Sequence, residues 1–109
     1  MIQHELEQYR SLVAEIVELN YLLKQGLNEK KAGNIKARIQ ELSERVKSIE
    51  DFINAIQDSK VRRIFFYRYM YSQRKTSWQD IAFRIGEHDE SYPRRIHKHY
   101  MKVVETTEL

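Results

Sequence analysis

Apolar residues open the chain at a regular 3-4 spacing: Ile2, Leu6, Tyr9, Val13, Ile16, then Asn20, Leu23 and Leu27. Written as heptads, Leu6, Val13 and Asn20 take position a and Tyr9, Ile16 and Leu23 position d, the seam of a long helix. Leu12, Val17 and Leu19 widen the stripe, so the helix is expected to face more than one partner, as in a bundle rather than a bare two-stranded coiled coil. Asn20 is the polar residue of the seam, and it either fixes register and oligomeric state or lies partly exposed near the helix end. The period stops between residues 25 and 34, where Gly26 and Gly33 bracket a polar run. Gly26 suits a helix-ending C′ position and Asn34 the next N-cap. From Ile35 the spacing resumes at Ile39, Leu42, Val46, Ile49, Ile53 and Ile56. Two such helices on a short loop fold back as an antiparallel, coiled-coil-like hairpin. The two seams hold more apolar positions than one hairpin covers, so residues 1–56 are expected to form a homodimer, with Leu6, Tyr9, Val13, Ile16, Asn20 and Leu23 at its interface.

Beyond residue 58 the pattern shortens into three pieces. Asp58 and Ser59 are both N-cap types, predicting a helix from about Lys60 whose Val61, Ile64, Phe65, Tyr69 and Met70 turn inward. The tyrosines of this segment can equally serve the core or lie near bases and phosphates. Thr76-Ser77-Trp78-Gln79 and Ser77-Trp78-Gln79-Asp80 both resemble capping boxes and start the same helix, which should run to Ile85 and stop at Gly86. Ile81, Ala82 and Ile85 form its apolar face, and the small Ala82 allows a close crossing. After the turn Glu87-His88-Asp89-Glu90, Asp89 or Ser91 can cap a last helix with Pro93 in its first turn, where the missing N–H is tolerated. Tyr92, Ile96, Tyr100 and Val103 or Val104 are spaced to pack inward. The fold is therefore expected to be all-α, with a hairpin over residues 1–58 and a three-helix helix-turn-helix unit over residues 59–109.

Three Gly and one Pro in 109 residues leave few turn-formers, which favours long helices. At this length roughly 65% of the unfolded surface can be buried, enough for a modest core. Charge sharpens the division. Residues 1–58 hold eight Lys/Arg against ten Asp/Glu, or −2, while residues 59–109 hold eleven against six, or +5. A basic half joined to a weakly acidic one points to polyanion binding beside another task. The start of the chain has no basic and apolar leader pattern and no run of 18 apolar residues occurs, so a cytoplasmic protein without a membrane partner is expected.

Candidate chemistry is sparse. The chain has no cysteine, which removes disulfides and thiolate zinc sites. His97 and His99, two residues apart, point about 200° apart on a helix and cannot share a metal without distortion. No phosphate-binding glycine loop or nucleophile elbow is present. Neither an enzyme nor a cofactor is expected.

The stretch from about Ile53 to Val104 resembles the region-4-like helix-turn-helix of sigma factors, in the form of the small regulators carried by phages and prophages of Gram-positive bacteria, the RinA and ArpU type. The residues that carry the resemblance are Asp58, Arg62 or Arg63, Arg68-Tyr69-Met70, Trp78-Gln79-Asp80-Ile81-Ala82, Ile85-Gly86 and Arg95-Ile96-His97. It covers about half the chain. It implies an all-helical regulator of phage transcription that reads double-stranded DNA with its last helix. On that reading Ser91, Arg94, Arg95, Lys98 and Lys102 reach base edges and phosphates with His97 at the flank, while Arg74, Lys75, Thr76 and Ser77 lie over the backbone. Glu87, Asp89 and Glu90 oppose it, since each acid near a duplex offsets part of the attraction. The alternatives are an interaction module that binds another regulatory protein and a small DNA-packaging subunit.

Overall fold

A computed structural model describes residues 2–107; residues 1, 108 and 109, at the ends of the two expected units, lie outside the described residues. All regular structure among the described residues is helical: α1 (Ile2–Leu23), α2 (Glu29–Asn54), α3 (Ser59–Tyr69), α4 (Trp78–Arg84) and α5 (Ser91–Thr107). None is long and apolar enough to cross a membrane.

Local chemistry sets most of the ends. Gly26 and Gly86 both adopt positive φ, +80° and +82°, the conformation that spares glycine the Cβ penalty. At Gly86 the motif is complete: Glu87 N donates to the Ala82 carbonyl at 2.8 Å and Gly86 N to that of Phe83 at 3.2 Å, which satisfies the last carbonyls of α4. Asp58 caps α3 by accepting from Val61 N at 3.0 Å, and Ser77 caps α4 by accepting from Asp80 N at 3.1 Å. Ser77→Ala should cost roughly 1 kcal/mol, read as a lower urea midpoint at unchanged slope. The start of α2 differs from expectation. Asn28, not Asn34, is the cap and accepts from Lys31 N at 2.9 Å. Helix-favouring Lys30, Lys31 and Ala32 extend the helix backward, so Gly33 lies inside it at an intrinsic cost of about 1 kcal/mol.

α1 and α2 pack along one another, burying Leu6 and Leu12 with Leu42, Ile49 and Ile53. Tyr9, Ile16, Leu19 and Val46 pack against this core half-buried. The expected dimer seam is thus largely used up within one chain. Leu6 is 1% exposed, and Tyr9 donates its hydroxyl to Glu50 at 2.7 Å. Asn20 is exposed, its side-chain amide donating to the Ile16 carbonyl, so it fixes no buried register. Val13, one heptad beyond Leu6, is 36% exposed. Phe65, Tyr69 and Met101 belong to the core that holds Leu6, whereas Val13 lines an open cavity with Met70 and Tyr71, just past the end of α3.

α3 joins two cores. Phe65 and Tyr69 complete the core of α1 and α2, while Ile64 packs with Ile81 and Ile85, flanked by Trp78, Tyr92 and Ile96. Arg62 ties the start of α3 to the end of α2 by donating to the Ile56 carbonyl at 2.7 Å. On α5 the inward stripe is Pro93, His97 and Met101, and Val103, expected as one of two inward candidates, is exposed.

Candidate nucleic-acid interface

The basic residues of α5 divide by helical geometry. Positions 94, 98 and 102 recur every four residues and share a face, while Arg95 lies beside them, its guanidinium 5.8 Å from the Tyr92 ring centre. Arg94, Lys98 and Lys102 line a groove of about 430 Å3, into which the segment before α4 brings Lys75. Four residues expected at a DNA surface therefore converge on one groove. Arg74, Ser77, Ser91 and Arg95 are exposed but do not line it.

Two expected contacts are corrected. Thr76 is buried, and its carbonyl accepts from Arg68 Nη1 at 2.8 Å, so it serves the fold rather than a phosphate. His97 is 7% exposed and forms the groove's floor, not a flank. Its Nε2 lies 2.6 Å from the Tyr69 hydroxyl, its ring stacks on Phe65 at 4.8 Å, and Trp78 meets it edge-on at 5.2 Å. Burial first, and then the cations Arg68 and Lys75, push its pKa down to about 4, so the ring is neutral at pH 7. Burial likewise pushes the Tyr69 hydroxyl up to about 12.

Arg68 is the cationic groove residue that the sequence did not assign to the site. Its guanidinium sits 4.0 Å from the centre of the Trp78 ring, a cation–π contact, while the bond to Thr76 fixes its direction. Nothing in the spacing of positions 68 and 78 signals the pairing, because it forms only when α3 and α4 meet. Glu7 and Glu105 stand at the groove as its acidic members.

The acidic turn is largely engaged locally. Glu87 bonds Lys60 at 2.9 Å, and Glu90 bonds Arg94 at 2.7 Å one turn on. Asp89 accepts from Ser91 N at 3.0 Å, which holds its carboxyl below the usual range and keeps it ionised at the start of α5. The exposed Glu90–Arg94 pair is worth only about 0.2–1 kcal/mol, little enough for Arg94 to exchange it for a stronger acceptor such as phosphate.

No family model, curated protein or solved structure matches the chain.

Proposed function

We propose that this chain is a DNA-binding transcriptional regulator of phage or prophage genes that works as a homodimer, with α4, the turn after it and α5 forming a helix-turn-helix and α1 with α2 an oligomerising hairpin. The observation that carries the reading is the convergence of Lys75, Arg94, Lys98 and Lys102 on one groove beside the exposed face of α5. A cluster of long cationic side chains of this kind suits a duplex backbone, where it displaces condensed counterions. The resemblance of residues 53–104 to sigma region 4 points the same way. Within it Arg94, near the start of α5, is the base-reading candidate, and Lys75 and Lys102 are the phosphate contacts.

The test is a polarisation titration of the full chain against duplex DNA at two salt concentrations. Lys75→Ala or Lys102→Ala should weaken binding to all sequences alike and lower the magnitude of the salt slope by about 1. Arg94→Ala should cost about 1–3 kcal/mol on the preferred site. The absence of any salt-dependent duplex affinity would overturn the reading. The second reading, an interaction module for another protein, is favoured by one feature, the 78% exposure of Phe83 on α4. On that reading Phe83→Ser abolishes regulation while leaving duplex affinity unchanged.

A further inference from the structure

α1 carries a second seam flanking its core-facing stripe, its first residues against the α3 side and its later ones open to solvent. Glu7, Arg10, Ala14, Val17 and Tyr21, with Lys24 one residue past the helix, follow one another at spacings of three, four, three, four and three residues. A coiled-coil stripe has this period, yet in the single chain Val17 and Tyr21 are 64% and 65% exposed. Val13 flanks the stripe and widens it. Beside it lies an open cavity of about 600 Å3 between α1 and the segment after α3, walled by Arg10, Val13, Met70 and Tyr71. Arg10 is held at its edge, its Nε donating to the Ser72 carbonyl at 2.7 Å.

We propose that this outer face of α1 is the homodimer interface, with two copies packed antiparallel about a two-fold axis so that Tyr21 of each copy fills the cavity beside Arg10 of the other. Charge complementarity selects the occupant and the direction. When Ala14 lies opposite Val17 of the second copy, Arg10 falls opposite Tyr21 and Glu7 opposite Lys24, and the symmetry makes each of these pairs twice. The ends of the seam are then closed by opposite charges, and the guanidinium meets an aromatic face. A parallel pair would set Glu7, Arg10 and Lys24 each against its own copy, three like-charge contacts. A shift of one heptad in either direction leaves Glu7 without Lys24 and Arg10 without Tyr21. Area contributes as well. A fully covered large aromatic buries on the order of 150–250 Å2, so the 65% and 44% of Tyr21 and Tyr71 that remain exposed supply, from both copies, roughly a third to a half of the ~1,000 Å2 of a specific interface, and Val13 and Val17 add to it. Pairing Glu7 with Lys24 would also neutralise one of the acids at the basic groove.

The proposal rests on the dimeric part of the reading above and not on DNA binding, so it is measured without DNA. Sedimentation of the full chain at micromolar concentration should give a dimer. Val17→Asp, at an exposed position that leaves the fold and its circular dichroism intact, should give a monomer. Glu7→Lys should weaken the dimer by about tenfold or more, through two unlike pairs turned like, and adding Lys24→Glu should restore it. The chain has no cysteine, so Ala14→Cys combined with Val17→Cys should cross-link two copies on mild oxidation, while Val17→Cys alone should not. A monomeric parent would overturn the proposal, as would a dimer indifferent to Val17→Asp, failure of Lys24→Glu to rescue, or cross-linking through position 17 alone. Duplex titration of the Val17→Asp monomer then reads DNA binding separately.

Discussion

Phe65→Ala is expected to be the most destabilising single truncation in the chain, costing about 3–5 kcal/mol. Phe65 is fully buried on α3, and its ring stands 6.3 Å from Phe52 on α2 and 5.2 Å from Tyr100 on α5, besides its stack on His97. The side chain is therefore the point at which α2, α3 and α5 meet. Surrounding rings are stiff and cannot close around a missing one, so most of the cavity term should survive. A small domain has only about 5–15 kcal/mol of total stability, so the variant should unfold at a far lower urea concentration. Phe66→Ala, the adjacent and exposed ring, serves as the control, with a change below about 1 kcal/mol. Equal losses for the two would show that α3 is rotated from the orientation described.

What the sequence discloses here follows the range of the interactions. Asp58, Ser77 and Gly86 were legible as helix ends because each is decided within four residues, by a side chain reaching its own backbone or by the tolerance of glycine for positive φ. Asn28 and Asn34 are chemically the same cap six residues apart, and the choice fell to the helix propensity of the residues between them. The heptad reading found α1 and α2 but assigned their seam to a second chain. Leu6 and Val13 are equivalent by period, and only tertiary packing separates them: Leu6 meets Phe65, Tyr69 and Met101, while Val13 faces an open cavity. Val17, expected to widen the stripe, is 64% exposed, and so, at 65%, is Tyr21, which the apolar period did not single out.

At the candidate site the divide is similar. The i, i+4 spacing of Arg94, Lys98 and Lys102 placed them together, and the convergence of Lys75 on the same groove agrees with that pattern. His97 was misplaced although its position carried a signal. It is four residues from both Pro93 and Met101, so it belongs to the inward stripe of α5, and its polar type outweighed its period. Arg68 had no such signal, since its partner Trp78 is supplied by another helix.

Acidification should destabilise the folded chain between pH 6.5 and about 4, and His97 is the cause. In the unfolded chain the ring takes up a proton with the ordinary value of 6.5; in the fold it resists until about 4, because burial and the nearby cations Arg68 and Lys75 disfavour the charged form. The unfolded state thus binds more protons throughout this window, and stability falls as pH falls. Above pH 6.5 neither state is protonated and the contribution is fully present. A gap that wide corresponds to roughly 3 kcal/mol lost by its lower edge. Glu5 adds a loss of the same sign but lower in pH, since its bond from Arg45 lowers its value below the ordinary 4.5. The two are separated by His97→Gln, which offers Tyr69 a neutral partner and cannot take up the proton. Its stability should stay nearly level from pH 7 to 5 and fall only below that, where Glu5 and Asp89 titrate, as read from urea midpoints at constant slope. If His97→Gln retained the parent's loss above pH 5, the ring would not be the neutral, buried partner of Tyr69, and the acid sensitivity would belong to the surface ion pairs.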